Sequence, residues 1–109
     1  MSMKWKSESE LLTVFLSGEI DHCAAERLRE RMEALIEKNH PQMLILDFDE
    51  VSFMDSSGIG MLIGRYKTMS AYGGKMCARR LSASVNRIYR MAGLHRIIPL
   101  VQDEGGKEA

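Results

Sequence analysis

The sequence predicts an α/β layer fold, and three observations carry that prediction. Apolar runs of strand length alternate along the chain with stretches of helical periodicity. One run, Met43-Leu44-Ile45-Leu46-Asp47-Phe48, is apolar on both alternations, as expected of a central strand covered on both faces. The stretch after it, Val51-Ser52-Phe53-Met54-Asp55-Ser56-Ser57-Gly58-Ile59-Gly60, hands a strand over to a helix through Asp, Ser and Gly. The rest of the chain is organised around that handover.

Taken in order, residues 3–8 and 11–17 read as strands, joined by a hairpin through Ser7-Glu8-Ser9-Glu10. Leu12, Val14 and Leu16 alternate with Thr13, Phe15 and Ser17, so Phe15 needs cover on the second face. Gly18-Glu19-Ile20-Asp21 is expected to break the strand, with Asp21 as N-cap of the next helix. His22 to Asn39 reads as that helix, with Ala25, Leu28, Met32, Leu35 and Ile36 as its buried stripe. Asn39-His40-Pro41 stops it. The handover helix shows Ile59, Leu62, Ile63, Tyr66 and Met69 on one face and closes at Tyr72-Gly73-Gly74. Lys75 to Arg79 is a further strand. A third helix opens at Ser82, with Val85, Ile88, Tyr89 and Ala92 inward. A last short strand is expected over Ile97-Ile98-Pro99-Leu100-Val101, held to an edge or shortened by Pro99. One domain over residues 1–102 and a polar tail over 103–109 account for the chain.

Composition narrows the function classes. A chain of 109 residues, 45% hydrophobic, supports one core. No stretch approaches the roughly 20 apolar residues of a membrane span, and charges occupy the N-terminus where a signal peptide needs an apolar block. The expected compartment is the cytoplasm, with no membrane partner. Cys23 and Cys77 have no metal or redox spacing and read as reduced, buried small hydrophobes. Residues 1–55 hold twelve acidic and six basic side chains, whereas residues 56–102 hold eight basic and no acidic ones. Either the halves neutralise each other on folding, or a basic face awaits an acidic partner or nucleic acid. Nucleic acid is the weaker reading, because aromatics are only 6% and no reader motif is present.

The handover invites a nucleotide-site reading that fails in detail. Gly58 to Gly64 spells GxGxxxG, one residue too long for the dinucleotide fingerprint. There is no GK[ST] and no GxSxG, and His22, His40 and His95 are scattered, so no independent enzyme is expected. Asp55 or Ser56 can cap the helix, and a hydroxyl here sits where an anion is favoured. Ser56 and Ser57 are thus either plain caps or a presented site. Gly60 and Gly64, one turn apart, suit close packing of the helix on the sheet. Met61 and Arg65 are expected to face away from the core stripe, with Met61 exposed to a protein partner. Glu19 and Asp21 either cap the first helix or join that contact.

The run Phe53-Met54-Asp55-Ser56-Ser57-Gly58-Ile59-Gly60, followed by Gly64-Arg65-Tyr66-Lys67, resembles the anti-sigma factor antagonists of spore-forming bacteria, members of the STAS domain class. Leu16-Ser17-Gly18-Glu19-Ile20-Asp21-His22, Gly73-Gly74 and Met91-Ala92-Gly93-Leu94 support the likeness, which covers about residues 4–101. The resemblance implies a mixed β-sheet of four to five strands with three to four helices. It implies a partner that is both an anti-sigma factor and a serine kinase, bound by the unmodified form, and a serine phosphatase that restores that form. Ser56 is then the phosphorylated residue and Asp55 the cap beside it. Gly58 and Gly60 would permit close approach of the partner, with Ser57, Ile59, Met61, Glu19 and Asp21 in the contact. ATP and magnesium belong to the kinase, so the resemblance implies no cofactor for this chain. Relatives of this type often carry a further C-terminal helix, so part of the sheet or first helix is expected to be less covered here. The rival expectation is a small nucleotide- or nucleic-acid-binding α/β domain.

Overall fold

The computed structural model describes residues 2–102, with side chains from residue 3 onward; the tail expected over 103–109 lies outside the described residues. Strands β1 (Ser2–Glu8), β2 (Leu11–Ile20), β3 (Met43–Met54) and β4 (Lys75–Arg79) alternate with helices α1 (His22–Asn39), α2 (Ser56–Ala71) and α3 (Ala83–Met91). They form one sheet in the order β1-β2-β3-β4. β1 pairs antiparallel with β2, and β2, β3 and β4 run parallel. A mixed sheet of four strands with three helices falls within the predicted range.

Strand alternation sorts the side chains onto two faces. Leu12, Leu44 and Met76 share one cross-strand row, and Val14, Leu46 and Ala78 the next. All six lie in the core with Leu28, Met32 and Ile36 of α1, Leu62 and Met69 of α2, and Val85 and Tyr89 of α3. Full burial of such a side chain stabilises the fold by about 1.5–3 kcal/mol. Phe48 meets Tyr89 edge-on at 6.2 Å, and the Tyr89 hydroxyl donates to the Ile98 carbonyl at 2.7 Å.

The opposite face departs from expectation. Leu11, Phe15, Met43 and Ile45 are only half-buried and stand outside the core, so among the described residues β3 is central but not covered by helices on both sides. Asp47 is buried on this face by its own neighbours. It accepts from Arg79 Nε at 2.8 Å, from Arg80 Nε at 3.1 Å and from the Asp49 N–H at 3.0 Å. Burial pushes its carboxyl up, but these donors outweigh burial and hold it below its ordinary range. The Arg79 guanidinium also lies 5.9 Å from the Phe15 ring, which supplies part of the cover that Phe15 needs.

Three boundaries are corrected. β2 does not break at Gly18; it runs on to Ile20, absorbing register shifts between Phe15 and Ser17 and between Gly18 and Glu19. Gly18 takes φ 85°, open to a glycine at little cost. The expected last strand shrinks to one bridge, Ala78 with Leu100, because Pro99 has no N–H to extend a ladder. α3 ends at Met91, which leaves Ala92 exposed rather than inward. Cys77 is buried as expected, but Cys23 is exposed in the first turn of α1.

Candidate functional site

Parallel pairing of β2 and β3 brings the starts of α1 and α2 side by side. Ile20 pairs with Met54, and the Asp55 N–H donates to the Ile20 carbonyl at 3.2 Å. Each helix begins with an aspartate cap. Asp21 Oδ1 accepts from Ala24 N at 3.0 Å. Asp55 Oδ1 accepts from Ser57 N at 2.9 Å and from Gly58 N at 3.4 Å. The cap of α2 is therefore Asp55, and Ser56 is not needed for it. Ser56 is the first helical residue and is exposed, and its side chain makes no hydrogen bond among the described residues. Its hydroxyl stands free at the positive end of the helix dipole.

The neighbours of Ser56 divide into an inner and an outer set. Ser57 is half-buried, with Oγ 3.4 Å from His22 Nδ1. No carboxylate hydrogen-bonds His22 among the described residues, so the pair lacks the third member of a nucleophile–base–acid array. Gly58 is buried: a Cβ there would lie 2.5 Å from Met54 Cγ and 3.0 Å from Ile20 Cγ2. Its smallness serves the seating of α2 on its own strands. Gly60 is exposed with open space around it, and Ile59 packs partly against the core. Gly60 and Gly64 thus leave room beside α2 instead of pressing it onto the sheet.

Met61 and Arg65 are corrected as well. They are 5% and 7% exposed, because α2 buries a second stripe against α1 as well as its first against the sheet. Arg65 Nε pairs with Glu33 Oε2 at 2.7 Å, and the Thr68 hydroxyl donates to the same oxygen at 2.6 Å. Burial lowers the Arg65 pKa, with Glu33 opposing that shift. Between the two helices runs an open groove of about 320 Å³, walled by His22, Ala25, Gly60 and Gly64.

Glu19 and Asp21 are exposed at the same end of the sheet, at the close of β2. Glu19 pairs in register with Phe53, an aromatic that is 45% exposed and that the sequence reading left unassigned. The available signal was its place between Val51 and Met54, both buried, one residue short of the turn. Among the described residues no cluster of His, Cys, Asp and Glu could hold a metal ion. No described helix is long and apolar enough to cross a membrane.

The comparisons with known proteins agree with this fold. The STAS domain family model matches residues 3–106. An anti-sigma F factor antagonist of Paenibacillus polymyxa is 36% identical over 94 residues, covering 86% of this chain and 80% of that protein. The structure of the anti-sigma factor antagonist SpoIIAA in its unphosphorylated form superposes with a TM-score of 0.82 at 26% identity, covering 94% of this chain and 88% of that one. The Bacillus SpoIIAA structure in the phosphorylated form gives 0.73 at 26% identity, covering 94% and 91%. This chain belongs to the STAS domain family and stands among relatives that are anti-sigma factor antagonists.

Proposed function

We propose that this chain is an anti-sigma factor antagonist, a binding module and not an enzyme, working in the cytoplasm. Its unmodified form captures an anti-sigma factor that is also a serine kinase, and so frees the sigma factor. The kinase transfers the γ-phosphoryl group of ATP to the Ser56 oxygen, ADP departs as the leaving group, the hydroxyl proton passes to a base of the kinase, and the modified antagonist lets go. A serine phosphatase restores it by hydrolysis. The observation that carries this reading is the free, exposed Ser56 hydroxyl at the start of α2, released from capping by Asp55.

Phosphate adds about −1.5 to −2 charges. At a helix N-terminus the dipole favours that charge by roughly 0.3–1 kcal/mol, while the Asp55 carboxylate next door opposes it. The fold therefore changes little. A partner seated over Ser56 would have to desolvate the added charge, at several kcal/mol, which is about 100-fold or more in affinity. Around Ser56, the exposed Gly60, Glu19 and Asp21 supply the contact, with Phe53 as its aromatic anchor. Ser57 and Ile59 contribute their accessible parts.

The test is incubation with a cognate anti-sigma factor kinase and ATP, followed by mass spectrometry of the labelled peptide. Phosphate on Ser56 supports the reading, and phosphate on Ser57 overturns the assignment. Hydrolysis of nucleotide by the pure chain would favour an enzyme instead.

A further inference from the structure

The sheet face away from the helices is not part of the Ser56 site. Its register is Glu8-Leu11-Met43-Lys75, then Lys6-Thr13-Ile45-Cys77, then Lys4-Phe15-Asp47-Arg79. Residues paired across strands share a face. The middle strands thus lay down an apolar stripe of Leu11, Ile45, Met43 and Phe15, all partly open to water and outside the core. Its long sides carry Lys6 and Lys4 beside Glu8 on β1, and Lys75 and Arg79 on β4. The three lysines are exposed and make no ion pair among the described residues. Arg79 is already committed to Asp47. Glu8 stands at one end of the stripe and Glu50, in register with Ser17, at the other.

From this arrangement we infer that the open face docks an acidic amphipathic helix of a protein partner. Strands lie about 4.8 Å apart, so the β1 and β4 lysine walls stand about 14 Å from each other. A helix with its side chains is about 10–12 Å across and fits between them. Rows two residues apart are about 6.6 Å from one another, so three rows span about 13 Å, the length of about nine helical residues. The apolar ridge of the helix lies along the stripe, and acids on one flank meet Lys4 and Lys6 of β1 while an acid on the other meets Lys75 of β4. A membrane surface fits less well. The apolar side chains of the stripe are only partly exposed, whereas the well-exposed Met91 belongs to α3 and Trp5 shares the helix-side row of Val14.

The experiment uses the full chain with a synthetic acidic amphipathic helix of about 16 residues, long enough to hold helical structure. A twin with Lys in place of Glu and vesicles of anionic phospholipid run in parallel. The expected result is saturable binding of the acidic helix alone, with amide shifts in β2 and β4. The double charge reversal Lys6→Glu with Lys75→Glu should weaken it about tenfold, and the milder Lys6→Gln with Lys75→Gln less, with circular dichroism confirming the fold. Ser56→Asp should bind the peptide as the parent does. Equal binding of both helices, binding to vesicles only, no binding, indifference to the lysine changes, or loss in Ser56→Asp would each overturn the inference. It does not depend on the switch at Ser56, so the two can fail separately.

Discussion

The starts of α1 and α2 are built alike and differ in the residue directly after the cap. Asp21 and Asp55 both take extended backbone, at φ −93° and −107° with ψ −169°, and both bond the first turn through their carboxylates. The next residue is His22 in one helix and Ser56 in the other. A capped N-terminus is therefore not a site in itself, since α1, α2 and α3 each have one, the last through Ser82 Oγ. What sets α2 apart is a nucleophilic hydroxyl that the cap leaves unused, with the exposed Gly60 one turn on.

The largest expected effect separates the two starts at once. Ser56→Asp should weaken capture of the anti-sigma factor by about 100-fold, whereas Ser56→Ala should bind and resist phosphorylation. Titration calorimetry against the partner reads both, and an unchanged affinity for Ser56→Asp would break the comparison. Next come the glycines. Gly58→Ala forces a methyl to 2.5 Å from Met54 Cγ and should destabilise by about 1–3 kcal/mol. Gly60→Ala meets open space and should stabilise the free chain by about 0.5–1 kcal/mol through helix propensity. Denaturant unfolding of the pair tests whether Gly58 is structural and Gly60 is not. The caps come third. Asp21→Ala and Asp55→Ala should each cost about 1 kcal/mol in the same assay, and unequal losses would show that the two starts are not equivalent.

Asp47 is the control, an aspartate with no helix to cap. Its folded carboxyl titrates below the ordinary 3.8, so it contributes stability that is full above that value. The contribution is lost as pH falls through the lower folded value. Relative to Asp47→Asn, the parent should lose its advantage only on acidification below about pH 4. Thermal melts across that range measure it.

Legibility tracked the strength of local signals. α1 and β4 match the sequence reading end for end, because an Asp cap, a Pro stop and a double glycine punctuate them. β2 and β3 run longer than their apolar patterns. Parallel pairing carries them through Gly18, Glu19, Glu50 and Ser52, which no single-strand pattern would select. Met61 and Arg65 were misplaced because one helix's periodicity reveals one neighbour, and α2 has two. Ser56 was legible as a residue, but its freedom was not: that required seeing which oxygen the first-turn N–H groups chose.

The bond from the Asp55 N–H to the Ile20 carbonyl fastens the serine-bearing turn to the neighbouring strand. On the reading proposed above, such a mount makes the two chemical states of the protein nearly the same object with a different label. No slow rearrangement then separates them, and the response time belongs wholly to the enzymes that write and erase that label. The cellular pool of this chain becomes a running record of their relative rates.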